Sequence, residues 1–271
     1  MPSHATHRDT GRLRADFDGI ARLAEAAGTA SSEVHGAYEA YLLSHLPRPC
    51  GAALEIGCGT GELARRLARL ADRVEAVDLS PERVRVARAR SAGIANLQFR
   101  VVDVTADPPP AGAYDCVVSV GTLHHLHPAG AVRAMRRALR PGGVLLLLDM
   151  LHRPGLRGLP RSVLAAMVGL LHRGAPERRA LRAAYAAHGR AERYLTMPEV
   201  RALCAVELPG ARVREHLLWR WSGVWRRPPE GSLSLLLGRE ADPAGAGPGP
   251  TTAPPLRCGR RAAPACGCRC P

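Results

Sequence analysis

Short apolar runs alternate with amphipathic stretches through most of this chain. The runs read as strands over Ala52–Ile56, Val74–Asp78, Leu97–Val102, Asp115–Val120 and Val144–Leu148. Helical spacing of apolar residues follows Gly61, with Leu63, Leu67 and Leu70 on one face, and recurs over 81–92 and near 128–139. The segment Arg140–Gly143 then predicts a turn into the fifth strand. Strands that alternate with helices in this way predict an α/β domain built on a parallel sheet.

A glycine-rich loop joins the first strand to the first of these helices. Glu55 stands near the end of the strand, and Gly57, Gly59 and Gly61 follow at alternate positions, with Cys58 between the first two. Glycine lets a ligand approach the main chain where a Cβ atom would collide. The helix N-terminus behind the loop favours a negatively charged group such as a carboxylate. Cys58 is expected to contribute only its backbone, because no neighbouring cation in the sequence would activate its thiol.

Acidic residues end the second and third strands. Asp78 lies 21 residues after Gly57, a spacing that fits an acid bound to ribose hydroxyls. Asp103 stands where a carboxylate could meet an adenine amino group. Either acid could instead be an ordinary strand-end or capping residue. Ser80 and Pro81 then predict the start of the next helix.

The ordered set of motifs resembles a known family. It consists of Glu55–Gly61, Asp78, Asp103, the strand at Tyr114-Asp115 followed by Leu123-His124-His125, and Leu139-Arg140-Pro141-Gly142-Gly143. Together these look like a class I S-adenosylmethionine-dependent methyltransferase, closest to the bacterial small-molecule branch that includes the ubiquinone/menaquinone C-methyltransferases. The resemblance covers residues 50–228. It implies a Rossmann-like, mostly parallel seven-stranded sheet with helices on both faces and an antiparallel last strand.

The resemblance also implies the ligands. The cofactor would be S-adenosyl-L-methionine, the acceptor a small molecule with an O, N or C nucleophile, and no resident metal is expected. Glu55 and the glycine loop would hold the methionine portion, Asp78 the ribose, and Leu79 and the 103–104 segment the adenine. The implied cofactor residues are Glu55, Gly57, Cys58, Gly59, Gly61, Asp78, Leu79, Asp103, Val104 and Ser119.

His124 and His125 are the candidate catalytic residues. They follow the fourth strand, where the transferred methyl group is expected, and a histidine there could accept a proton from the acceptor. The alternative is that the pair only packs the loop, since methyl transfer often needs alignment rather than a base.

Segments outside the motifs suggest additional elements. Residues 1–49 are expected to form a helical cap with helices over 11–27 and 33–46, either closing over the cofactor or packing on the sheet edge. A helical insert is expected over 153–195 within the domain of residues 50–228. Thr196-Met197-Pro198-Glu199 predicts a capped helix, and 212–218 and 221–226 predict the last two strands.

The segment 229–271 is rich in Gly, Pro and Ala and is expected to be disordered. Its four cysteines leave a soft-metal site open, although their spacing lacks the paired pattern of zinc sites: Cys258, Cys266, Cys268 and Cys270.

Composition narrows the choice of partners. The net charge of +14 comes from 38 basic residues, all arginine, but they are dispersed and aromatic residues are few, which argues against a nucleic-acid acceptor. No signal peptide or membrane span is recognised, and the scattered cysteines favour the cytoplasm.

The glycine loop has two other interpretations. A nicotinamide oxidoreductase normally carries G-x-G-x-x-G, whereas this loop is G-x-G-x-G. The protein could also be a non-catalytic relative that binds S-adenosylmethionine, because the sequence contains no residue that is indispensable for methyl transfer.

Overall fold

A computed structural model describes residues 10–26, 28, 33–152, 179–190 and 192–229. These residues belong to one compact unit, residues 1–232. The tail with its four cysteines and residues 153–178 of the expected insert lie outside the described residues. None of the helices described is both long and apolar enough to cross a membrane.

The described chain forms seven strands and seven α-helices. The strands are β1 Ala52–Ile56, β2 Arg73–Asp78, β3 Leu97–Val101, β4 Tyr114–Val120, β5 Leu139–Met150, β6 Arg212–His216 and β7 Arg220–Arg226. The helices are α1 Thr10–Ala26, α2 Glu33–Leu43, α3 Glu62–Leu67, α4 Pro81–Arg90, α5 Pro128–Ala138, α6 Arg179–Arg190 and α7 Met197–Glu207. A short 3-10 helix, Leu123–His125, follows β4.

The seven strands form one sheet in the order β3-β2-β1-β4-β5-β7-β6. Strands β1 to β5 pair in parallel, and β7 is antiparallel to both of its neighbours. The fold class expected from the sequence is therefore confirmed. The strand order reverses between β1 and β4, and ligands of such sheets bind beyond the carboxyl ends of the strands at this point.

Helices cover both faces of the sheet, because its central strands are apolar on both sides. All five residues of β1 are buried. One core cluster contains Leu42, Leu67 and Val84 from α2, α3 and α4. The other contains Met135 from α5 and Val200 from α7. Burial on both faces is typical of a parallel sheet.

Two boundaries differ from the sequence prediction. The segment Arg140–Gly143, expected to be a turn before the fifth strand, lies inside β5, which begins at Leu139. The β4–β5 register shifts here, so these residues bulge from the ladder while Gly142 N–H donates to Arg227 O. Helix α3 ends at Leu67 in tighter turns, which carry Leu70 out to 43% exposure instead of onto the apolar face.

The turn between β6 and β7 is also earlier than expected. Leu218 and Trp219 adopt left-handed backbone conformations with φ of 58° and 54°. Trp219 is therefore not extended, so it does not share a strand face with Trp221 and Trp225, which are buried in the core.

Capping residues place the helices as the sequence predicts. Ser80 Oγ accepts a hydrogen bond from Arg83 N–H at 3.1 Å at the start of α4. Thr196 and Glu199 form the expected capping box of α7.

The N-terminal helices pack in different places. Leu42 of α2 is part of the main core, whereas α1 packs against α4 and α6 through Phe17 and Ile20. The hydroxyl of Ser80 donates to Asp18 of α1, which ties that helix to α4. The division of the chain into a cap and a domain stays a prediction.

Candidate functional site

A cavity of about 1430 Å³ lies beyond the carboxyl ends of the parallel strands. Its walls include the glycine loop, the segments after β2, β3 and β4, and the inner side of α1. Of the residues implied by the resemblance, those that line it are Glu55, Gly57, Cys58, Gly59, Asp78, Leu79, Asp103, Val104, His124 and His125. Gly61 and Ser119 do not line it. Ser119 is buried within β4, and its hydroxyl has no hydrogen-bond partner among the described residues.

The three loop glycines have left-handed backbones, but the space around each one differs. A Cβ atom on Gly57 would come within 1.9 Å of Thr122 Oγ1, and one on Gly61 within 2.7 Å of Phe99 Cζ. A Cβ atom on Gly59 meets nothing within 4 Å. The absence of a Cβ atom at Gly57 and Gly61 therefore lets the side chains of Thr122 and Phe99 pack against the backbone. At Gly59 the same absence leaves open space at the cavity wall.

Asp78 is buried at the end of β2, and its carboxylate fixes the loop. Its Oδ2 accepts from Gly59 N–H at 2.8 Å, and its Oδ1 accepts from Ser80 N–H at 2.9 Å. A carboxylate oxygen can accept more than one hydrogen bond, so both oxygens retain capacity for a ligand hydroxyl.

Glu55 is a buried acid beside two other acids. Burial raises the pKa of Glu55 well above its usual range, and the carboxylates of Glu39 and Asp78 raise it further. Its Oε2 has no hydrogen-bond partner in the part of the chain that the structure describes. Glu39 is itself buried and pairs with Arg66 at 2.7 Å. The three acids make this end of the cavity fit a cationic ligand, as the ammonium and sulfonium groups of S-adenosylmethionine require.

Asp103 and Val104, which the resemblance assigns to adenine, are arranged by a local turn. Asp103 Oδ1 accepts from the N–H of Thr105 at 2.9 Å and from its hydroxyl at 2.6 Å. This fixes the segment that carries Val104 along the cavity wall.

His124 and Asp149 form a buried pair beyond β4 and β5, on the other side of β1 from Asp78, and His124 lines the cavity. Asp149, at the end of β5, lies with its Oδ1 2.5 Å from His124 Nδ1, and its Oδ2 accepts from the backbone N–H of His124 at 2.9 Å. Burial alone would raise the pKa of Asp149, but His124 holds it below its usual range. A carboxylate on Nδ1 orients the ring and leaves Nε2 as the second functional nitrogen.

His125 belongs to a separate group with Glu192 and His188. Its Nδ1 lies 3.2 Å from Glu192 Oε2, outside hydrogen-bond geometry, and His188 Nε2 lies 3.5 Å from Glu192 Oε1. Burial lowers the pKa of His125 to about 4 and also lowers that of His188. His124, His125 and Glu192 present ligand atoms within 4.8 Å of one another, an arrangement that could hold a metal ion.

Several site residues were not found from the sequence. Asp149 directly follows the fifth predicted strand, so it has the same strand-end position that marks Asp78 and could have been found by that signal. His188 and Glu192 are four residues apart, which places them close together in the structure. Arg220 gave no local signal, because its burial depends on the pairing of β7 with β5.

Comparison with known proteins identifies the core of the fold. Residues 53–143 match a protein family described as a methyltransferase domain. Ubiquinone biosynthesis O-methyltransferase of Xanthomonas campestris pv. campestris (strain B100) is 35% identical over 119 residues, which is 42% of this chain and 49% of that protein. The protein of the same name from Xanthomonas oryzae pv. oryzae (strain PXO99A) is 33% identical over 139 residues, which is 49% of this chain and 57% of that protein. The chain thus spans about half the length of these curated relatives.

Solved structures share the fold over a larger part of the chain. Burkholderia thailandensis 1,6-didemethyltoxoflavin-N1-methyltransferase, with bound 1,6-didemethyltoxoflavin and S-adenosylhomocysteine, has a TM-score of 0.56 at 19% identity and covers 84% of this chain and 92% of its own. A Haemonchus contortus phosphoethanolamine N-methyltransferase has a TM-score of 0.57 at 16% identity and covers 85% and 62%. Residues 53–143 are thus similar to a methyltransferase domain, and the chain shares its fold with solved methyltransferases.

Proposed function

We propose that this protein transfers a methyl group from S-adenosylmethionine to a small-molecule acceptor. The observation that carries the proposal is the buried Glu55 carboxyl, whose Oε2 has no hydrogen-bond partner among the described residues and which shares one cavity with Asp78 and the open side of Gly59. A buried polar atom without a partner is costly, and a ligand donor would satisfy it.

The residues at the acidic end would hold the cofactor. Glu55 would accept a hydrogen bond from the ammonium group of the cofactor, and Asp78 would accept from the ribose hydroxyls. The backbone at Gly59 would lie against the cofactor. Leu79, Asp103 and Val104 line the part of the cavity proposed for adenine. S-adenosylmethionine, when bound, supplies an electrophilic methyl group. The protein contributes alignment of the acceptor and exclusion of water.

His124 is the proposed proton acceptor, and Asp149 its positioning residue. The carboxylate at Nδ1 fixes the imidazole and stabilises the imidazolium that forms when Nε2 takes a proton. His125 is less suited to this role, because burial strongly disfavours its charged form. The acceptor atom would therefore be an oxygen or nitrogen that carries a proton.

The relatives support small-molecule acceptors as a class but differ in the compound. Their names specify ubiquinone biosynthesis, 1,6-didemethyltoxoflavin and phosphoethanolamine. We propose a cytoplasmic location, supported by the free thiols of the four cysteines that the structure describes, Cys50, Cys58, Cys116 and Cys204.

Calorimetry with S-adenosylmethionine and S-adenosylhomocysteine tests cofactor binding. Asp78→Asn should weaken binding by roughly 10- to 100-fold, since a hydrogen bond to a charged group contributes about 1.5–3 kcal/mol. Glu75→Gln, an acid on the same strand outside the cavity, is the matched control and should bind normally. Equal affinities for all three proteins would contradict the assignment of Asp78.

A labelled-methyl screen of small-molecule extracts then tests transfer. Labelled products are expected with the wild type and should be absent with His124→Ala. Tight cofactor binding without a labelled product in any extract would favour the alternative of a non-catalytic binding protein.

A further inference from the structure

Arg220 is a buried cation in the wall of the cavity. It is the first residue of β7, lies opposite Met150 of β5, and is 8% exposed. Its Nη1 donates to the carbonyls of Leu218 at 3.0 Å and Trp219 at 3.3 Å. Its Nε–H has no hydrogen-bond partner among the described residues.

The charge of Arg220 is only partly balanced by its neighbours. Asp149 attracts it electrostatically, but that carboxylate already accepts from His124 Nδ1, His124 N–H and Met150 N–H. The phenols of Tyr38 and Tyr194 also interact with it electrostatically. Burial lowers the pKa of Arg220, yet a guanidinium remains protonated in proteins. The cavity wall therefore carries a positive charge with an unused donor.

The backbone holds this guanidinium in place. The left-handed conformations of Leu218 and Trp219 form the turn whose carbonyls accept from Arg220. The turn is fixed in addition by Tyr38, whose hydroxyl donates to Leu217 O at 2.6 Å. A donor that is ordered before a ligand arrives binds it with a smaller entropic cost.

The other arginines of the described cavity wall have a different environment. Arg193 has a side chain that is 82% exposed and pairs with Glu199 at 2.7 Å. The guanidinium of Arg83 stacks on the ring of Phe17 at 3.9 Å. Among the described residues that line the cavity, Arg220 is thus the arginine that combines burial with an unpartnered donor.

We propose that Arg220 binds an anionic oxygen of the methyl acceptor, either a carboxylate or the ionised hydroxyl that is methylated. The proposal rests on the proposed function, because it assigns this end of the same cavity to the acceptor. An acceptor oxyanion together with Asp149 would balance the charges of Arg220 and a protonated His124. The cavity then has an acidic end for the cationic cofactor and a cationic end for an acidic acceptor.

Binding of matched probes tests the proposal without requiring turnover. Benzoate and benzamide have nearly the same shape but differ in charge, and their affinities are measured by calorimetry with and without S-adenosylhomocysteine. The wild type should prefer benzoate by about 10- to 100-fold if the ligand group is a carboxylate. In the second arm, absorbance titration of 4-nitrophenol should show that the bound probe ionises at a lower pH than the free probe if the ligand group is the reacting hydroxyl.

Three variants identify the residue responsible. Arg220→Met should abolish the preference in whichever arm shows it, whereas Arg193→Met should leave it unchanged. Arg220→Lys retains the charge but lacks the Nε donor, so it should give a reduced preference and carries the test if Arg220→Met does not fold.

The outcomes are distinguishable from failure of the proposed function. Arg220→Met should bind S-adenosylhomocysteine with normal affinity. If the wild type does not bind S-adenosylhomocysteine, the cofactor assignment is contradicted, but the benzoate and 4-nitrophenol experiments still test the role of Arg220. Equal binding of charged and neutral probes together with an unshifted 4-nitrophenol titration would overturn the proposal. The proposal would also be overturned if folded Arg220→Met kept the preference for the charged probe. If Arg220→Met does not fold, an undiminished preference in Arg220→Lys would overturn it.

Discussion

Substitution of Gly59 should separate ligand binding from folding. Gly59 has a φ of 52° and open space where its Cβ atom would lie, whereas Gly61 has a φ of 77° and a Cβ position 2.7 Å from Phe99 Cζ and 3.2 Å from Ala87 Cβ. Gly59→Ala should therefore place a methyl group in the cavity, and Gly61→Ala should force it into the core.

The two costs can be compared. An L-residue in the left-handed region costs about 1–2 kcal/mol, and this applies to both variants. Gly61→Ala adds an overpacking cost of about 1–3 kcal/mol, for a total of about 2–5 kcal/mol. At roughly 2–4 °C per kcal/mol for a domain of this size, the melting temperature should fall by about 2–8 °C for Gly59→Ala and about 4–20 °C for Gly61→Ala.

Calorimetry and thermal melts measure both quantities. Folded Gly59→Ala should lose at least about tenfold in affinity for S-adenosylhomocysteine, because the added methyl group occupies space where the ligand would approach the main chain. Gly112→Ala is the matched control: Gly112 has a φ of 62°, open space at its Cβ position and no place in the cavity wall. It should show the same loss of stability as Gly59→Ala with normal binding.

The comparison has a clear refuting result. If Gly59→Ala binds S-adenosylhomocysteine as tightly as Gly112→Ala, the cofactor does not lie against the loop at Gly59. If Gly61→Ala is no less stable than Gly59→Ala, the contact with Phe99 does not explain the glycine at 61.

Further predictions concern proton linkage, catalysis and the tail. The raised pKa of Glu55 should make binding of the cationic cofactor release protons, seen as buffer-dependent calorimetric heats that Glu55→Gln abolishes. Because burial lowers the pKa of His125 from about 6.5 to about 4, stability should fall as pH drops through that interval, and His125→Phe should flatten this loss in acid melts. Asp149→Asn should lower kcat by about 10²–10⁴-fold with unchanged cofactor affinity, and chelators should have no effect; activity lost to chelators and restored by metal would instead make His124 a metal ligand. Truncation after Glu240 should leave the melting temperature and cofactor affinity nearly unchanged, and a clear drop in either would show that the tail is structural.

Local signals in the sequence were sufficient for the sheet and the glycine loop. Apolar runs, strand-end acids and the Ser80 cap act over a few residues, so β1 to β4 and α4 begin and end close to the predicted positions. The exception is the start of β5, because Leu139 pairs with Tyr114 ahead of the turn signal, while Arg140–Gly143 bulge from the ladder and Gly142 N–H donates to Arg227 O.

The cationic end of the site depends on contacts between distant segments. His124 and Asp149 are 25 residues apart and meet because β4 and β5 pair in parallel with Ser119 opposite Leu147. Arg220 becomes buried because β7 inserts between β5 and β6. No periodicity within one segment carries information about such pairings. A sequence pattern could therefore single out His124, and the strand-end position of Asp149, but not the contact between them or the burial of Arg220.

The link between α1 and α4 has a kinetic consequence. Asp78 Oδ1 accepts from Ser80 N–H, Ser80 Oγ accepts from Arg83 N–H, and the same hydroxyl donates to Asp18 of α1. Movement of α1 away from the cavity would break the last of these bonds and loosen the first turn of α4. The rate of amide hydrogen exchange at Arg83 would then follow the opening of this wall, and a ligand that keeps α1 in place would reduce that exchange in proportion to the fraction of protein left unbound.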